Sequence, residues 1–523
     1  MKFSRAFLSL IALTMTAAFV ACGGGSSHTT PPPVKKQAPL ADGNYVFSLA
    51  GQDASADYLY YLAGVFTVKG GAITAGEQDF IDFNLPASVT DNITGGTLAT
   101  TADGNLQITL QTGDNSIGVA GVETLNATMV SKSGSKALVT EFDTSATSSG
   151  ELDLQTSTQP GPGGYAFFVT GGDANGGPVG IGGVVNVDGA GTISGSGSVF
   201  DIDDTGNVSQ NQPIDPSTVS APDAFGRVQI SLVLTTSGVG GIGLVGYTVD
   251  NNRIRLVENS NDPNDVFFGV TGGTAFAQGG NTGTFSAASI AGSSFVVGTT
   301  GQDPTGFFQV AGVVTANADL TTATGTLNFN DLTGAGVQAP IAFVGTYTVD
   351  PTGRVTVNDA TDGFTIQVYL DGNGNGTVAS MDNCTGIACD VLAGQAYLQT
   401  GAGSFNAGSF SGSYALDATG TDHNFLQGDS VGPVTANGVG SLTGTIDQNS
   451  LSTGVPAAGV ALTGDFVADP SGVFTTNNGI AGLDVLTPAN QDAFTYYLID
   501  NQRAVAIETD PNQLTLGYLE LVH

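Results

Sequence analysis

The chain has 523 residues, 77 of them glycine and none tryptophan, and its 11% of charged residues divide into 46 acidic and 12 basic. Lys2 and Arg5 account for two of the basic residues, so the chain beyond residue 21 sets ten against 46 acids, a net of −36. A surface this acidic repels nucleic acid and anionic headgroups, while the 40% apolar content suffices for packed cores and argues against a disordered chain.

In chain order, Lys2 and Arg5 come before an uncharged apolar run from Ala6 to Val20. This run is shorter than the ~20 residues a spanning helix needs. It ends in Phe19-Val20-Ala21-Cys22, and the polar tract Gly23-Gly24-Gly25-Ser26-Ser27 follows at once. A basic start, a short apolar core and a small residue before the cut predict an export signal over residues 1–21.

With Cys22 at the first mature position, the segment resembles a bacterial lipoprotein signal, from which Phe19 departs where Leu is usual. The resemblance implies a diacylglycerol thioether on the Cys22 sulfur and further acylation, palmitate-like, on its amine. The expected partner is then a membrane, held through that lipid. Gly23, where Asp would mean inner-membrane retention, implies the outer membrane in a cell that has two. Residues 22–40 read as a tether, flexible at its Gly/Ser start and stiffened by Pro31-Pro32-Pro33. Fully extended at ~3.1 Å per residue, it reaches ~60 Å.

The remainder repeats itself four times. Tyr45-Val46-Phe47, Tyr165-Ala166-Phe167, Phe295-Val296-Val297 and Tyr414-Ala415-Leu416 each lead to a Gly six residues, and an Asp eight residues, after the aromatic. Those pairs are Gly51 and Asp53, Gly171 and Asp173, Gly301 and Asp303, and Gly420 and Asp422. The copies agree again at Gly104-Asn105, Gly226-Arg227, Gly353-Arg354 and Gly472-Val473. The predicted modules are 41–160, 161–285, 286–403 and 404–523. Within a copy, short alternating runs such as Leu106-Gln107-Ile108-Thr109-Leu110 are separated by turn residues. The pattern predicts an all-β fold of about eight antiparallel strands per module.

Closing each module into an up-and-down barrel hides its edges best, with a β-sandwich as the alternative. Short linkers such as Gly161-Pro162-Gly163 suggest a chain of compact beads. The modules are similar to tandem β-repeat segments of exported bacterial lipoproteins, a likeness that implies no activity.

Cys384 and Cys389, close together in an exported chain, are expected to form a disulfide. Asp371, Asn373, Asn375 and Asp382 follow the spacing of a calcium loop, but the other copies carry plain turns near this place, so a hairpin is preferred and no metal is assigned. Glu141, Glu258 and Glu508 recur at one module position, aligned with Met381 in the third copy. They are read as outward-facing, with Arg227 the candidate partner were one buried. Asp201, Asp203 and Asp204 look like a polar loop. His28, His423 and His523 complete no catalytic set, and no Gly-rich phosphate loop opens a helix. The chain therefore reads as no enzyme and as needing no cofactor. It is expected to be a structural or binding surface protein, or else a ligand-capturing one that holds small apolar molecules or sugars inside its barrels. Its candidate partners are a small molecule, a glycan or a protein, not nucleic acid. Packed interiors would favour the first class and hollow ones the second.

Overall fold

The computed structural model describes residues 40–55, 58–234, 240–303, 306–332, 334, 336–338, 340–360, 363–382, 390–484 and 491–523. Cys22, Cys384 and Cys389 lie outside them. The first module is a closed antiparallel barrel whose last strand, Ala146–Leu154, pairs back onto its first, Gly43–Asp53. Seven hairpin connections link the eight staves, and Val89–Ile93 is an extra strand on the edge of Ala72–Asp82. The second barrel closes the same way between Gly163–Gly172 and Val270–Ala277, with Asn207–Gln212 as its extra strand. The third, from Ser294–Asp303 to Val391–Leu398, closes with eight strands alone.

The fourth module is a half-open version. Ser411–Thr421 pairs with Leu514–Leu521, but Ala457–Asp465 and Val473–Thr475 are not laddered together. Isolated bridges at Val467–Thr475 and Ile480–Asp492 span that seam. Phe410, Phe466 and Phe474 pack behind it, ring centroids 5.2 to 6.4 Å apart.

Inward residues follow the period of two. In the first barrel Tyr45, Phe47 and Leu49 point in from one strand and Tyr60, Leu62 and Phe66 from the next, all at most 2% exposed. The intervening residues, Val46, Ala63 and Val65, are equally buried, because they face the second barrel's Val245, Tyr247 and Val249.

The outward faces close the four modules into a ring, not a string of beads. Apolar clusters join the first to the second, the second to the third, the third to the fourth, and the fourth back to the first. At each junction a third-strand residue meets the next module. Asp79 takes a two-pronged ion pair from Arg227 at 2.6 and 2.8 Å and the Tyr247 hydroxyl at 2.5 Å. Asp201 repeats this with Arg354, at 2.7 Å twice, and Tyr369 at 2.8 Å. At the third junction Asn328 hydrogen-bonds Tyr497, and Val473 stands where the arginines stood. At the closing junction Asp447 accepts from Asn105 and Asn126, each at 2.8 Å.

A glutamine after the last strand clamps each linker onto the next module. Gln155 donates to Phe225 and Thr248 carbonyls, Gln278 to Thr352 and Leu370, and Gln399 to Ser471 and Leu498. Near the centre, Glu151 and Asp153 of the first module meet Arg253 and Arg255 of the second, and Lys136 reaches Glu520 of the fourth at 2.7 Å. Five of the ten basic residues beyond residue 21 thus bind an acid of another module. Their scarcity makes each pair matter, since removing one partner of a buried pair costs ~3–5 kcal/mol.

Candidate functional site: the hollow third barrel

The strand pairing aligns the interiors residue by residue. Phe47 faces Gly64 in the first barrel as Val297 faces Gly312 in the third, and the same registers place Phe66 opposite Tyr45 and Val314 opposite Phe295. Two phenyl rings of the first barrel are thereby replaced by isopropyl groups. Val310 likewise stands where Leu62 does. The space left is a cavity of about 220 Å3, lined by Val297, Val310, Val314, Leu327, Phe329, Ile366 and Val368 among others. Interior cavities of the second and fourth barrels measure about 30 and 20 Å3.

One end is plugged by Ile290, which follows the short 3-10 turn Ala287–Ser289 over Phe285. At the other end stand Ser380 and the half-buried Asp359, Asp382 and Asp390, with Phe364 39% exposed. Burial, opposed by the Thr365 amide and reinforced by Asp390 and Asp359, pushes Asp382 up to about 6. Burial also raises Asp390, aided by Asp303 and Asp331. The cavity is therefore apolar along its length and acidic at one end.

Asp371, Asn373 and Asn375 form the hairpin turn between Thr365–Leu370 and Gly376–Ser380. The Asp371 carboxylate accepts from the Asn373 and Asn375 amides at 2.7 and 2.8 Å. Asp382 lies beyond the far end of that second strand, five strand residues or ~16 Å away, so the four do not converge on one ion.

The recurrent glutamates do not face outward. Glu141, Glu258 and Glu508 all point into their barrels and are 0% exposed, on the same strand face as Val139, Leu256 and Ala506. Arg227 serves Asp79 and none of them. Glu141 accepts from the Tyr60 hydroxyl at 2.5 Å, and Glu258 from the Gly269 amide and Thr271 hydroxyl at 2.7 Å each. The third-copy counterpart is Ser380, not Met381. Ile366 pairs with Ser380 as Leu125 pairs with Glu141, and Met381 faces the second barrel. The signal was available: Tyr247, Tyr369 and Tyr497 each lie eleven residues before Glu258, Ser380 and Glu508.

Asp201, Asp203 and Asp204 are in strand Thr192–Asp204, with the first two wholly buried, so they are no loop. The junction role of Asp201 has no local sequence signal, because its partners sit in another module. His423 and His523 each bond a backbone carbonyl, of Pro511 and Leu521. His28 lies outside the described residues.

No family model matches the chain, and no curated protein matches it significantly. Among solved structures, kievitone hydratase from Nectria haematococca aligns over 69% of this chain and 90% of its own, at 9% identity and TM-score 0.17. A Trp-176-Ala mutant of the vaccine antigen Transferrin Binding Protein B from Haemophilus parasuis aligns over 94% and 98%, at 10% identity and TM-score 0.18. Likenesses this faint carry no argument about what the chain does.

Proposed function

We propose that the chain is a lipid-anchored cell-envelope protein in which three filled modules brace a fourth-in-kind, hollow one, and that the third barrel holds a small, mainly apolar molecule. The observation that carries this is the 220 Å3 apolar cavity confined to that barrel. A dry cavity of about 150 Å3 accepts a benzene-sized guest, so this one takes a one- or two-ring compound or a short acyl segment. The lining offers a sugar few hydrogen-bond partners, which favours the apolar class. A polar or cationic end of the guest would face Asp359, Asp382 and Asp390.

The test is titration with 1-naphthylamine, a fluorescent, mainly apolar two-ring probe. One saturable site per chain is expected, with at least tenfold weaker binding in a Val297→Phe/Val314→Phe variant. Equal binding by that variant rules the barrel out as the site. The anchor is a separate matter. Among the described residues no helix is long and apolar enough to cross a membrane, and attachment is proposed through Cys22. A Cys22→Ser variant should lose acyl labelling and leave the membrane fraction; unchanged retention contradicts the anchor.

A further inference from the structure

We propose that Asp492, Glu508 and Asp510 of the fourth module form a binding site for a hard divalent cation of the Ca2+ type. One carboxylate oxygen from each lies within 4.8 Å of the others, and oxygens each ~2.4 Å from one Ca2+ can be that far apart. Asp492 and Glu508 are 0% exposed.

The second observation is that Glu508 is buried without a donor. Neither of its oxygens, nor the second oxygen of Asp492, has a hydrogen-bond partner. Comparison with the first barrel shows why. There Tyr60 donates to Glu141. The register places Gly428 where Tyr60 stands, since Gly64 and Gly432 pair with Phe47 and Leu416, so the fourth module has no hydroxyl there. Thr515, on the strand beside Glu508, accepts from Gln513 at 2.8 Å.

The surrounding chain is held in place around this carboxylate. Asn330 of the third barrel donates to the Glu508, Asp510 and Gln513 carbonyls at 3.2, 3.0 and 3.3 Å. Asn512 donates to Asp492 at 2.9 Å. No Lys or Arg forms an ion pair with any of the three acids among the described residues. Buried like charges so arranged need a cation or a proton, and an all-oxygen donor set selects a hard metal. Asp492 also bridges Ile480 by two backbone hydrogen bonds of 2.8 and 2.9 Å. The ion would therefore secure the strand that borders the open seam of this module.

The test is calorimetric titration of the full chain with Ca2+ alone, and separately Mg2+ alone, in enough KCl to screen the acidic surface. The expected result is one site for at least one of these ions and a rise in melting temperature on its addition. Glu508→Gln should weaken that binding at least tenfold with its circular dichroism unchanged. Glu141→Gln, in the first barrel, where Tyr60 donates to that glutamate, should bind as wild type does. If Glu508→Gln fails to fold, Asp510→Asn takes its place with the same expectation. Absence of a site for either ion, or undiminished binding by the acid-to-amide variants, overturns the proposal.

Discussion

The first and third barrels share strand number, register and closure, yet one is solid and the other hollow. The difference rests on a few inward positions. Phe47, Phe66 and Leu62 fill the first, and Val297, Val314 and Val310 leave the third open. The same pair differs at the inner acids. Glu123 and Glu141 are buried in the first barrel, while the pairing puts Phe364 and Ser380 in their places in the third. A barrel can thus be switched from brace to receptacle by inward residues alone, because the backbone ladder closes whatever its interior contains. The third barrel forgoes packing energy that its ring neighbours supply, as binding sites commonly do.

The largest contrast should come at the junction residues. Asp79→Ala leaves Arg227 and Tyr247 without their acceptor and should cost ~3–5 kcal/mol, whereas Asn328→Ala, its third-barrel counterpart, should cost ~1 kcal/mol. Urea unfolding measures both, and equal losses would show that the charge pair is no special brace. Inside the barrels, Phe47→Ala should cost ~3–5 kcal/mol by opening a cavity, and Val297→Ala under ~2 kcal/mol because its site is already empty. A larger loss at Val297 would mean that the third barrel is packed in solution.

The acids give a contrast in pH. Burial, with Asp143 and Asp91 adding to it, raises Glu123 from 4.5 to about 8. A carboxyl whose folded value is raised stabilises fully below its unfolded value, and that contribution is lost as pH climbs through the folded value. Stability should therefore decline between pH 4.5 and 8, and Glu123→Gln should flatten that slope. An unchanged slope would place the titration elsewhere. The smallest effect belongs to Val314→Phe, which refills the cavity and should shift stability by under ~1.5 kcal/mol while weakening probe binding.

Much of this was legible in the sequence, and the failures share a cause. The four copies, their strands and the Phe47-to-Val297 change are plain in the repeats. The hollow follows only once inward and outward faces are assigned. The ring is written only in the residues between the inward ones: Val46, Val65, Ala166 and Phe168 make their strands apolar on both faces, the mark of a sheet buried on two sides. A glutamate in such a strand reads as outward by its charge, and only the strand's parity turns it inward. Alignment on turns puts the glutamates' third counterpart at Met381, one residue past Ser380, and the shared tyrosines restore the register. Partners contributed by another module, as with Asp201 and Arg354, leave no local spacing to read.

The most direct measurement exchanges the two interiors and counts apolar probe sites. Wild type should bind one 1-naphthylamine per chain, Val297→Phe/Val314→Phe none, and Phe47→Val/Phe66→Val two, the second in an emptied first barrel. A site count that stays at one in all three proteins would contradict the assignment of binding to the hollow of the third barrel.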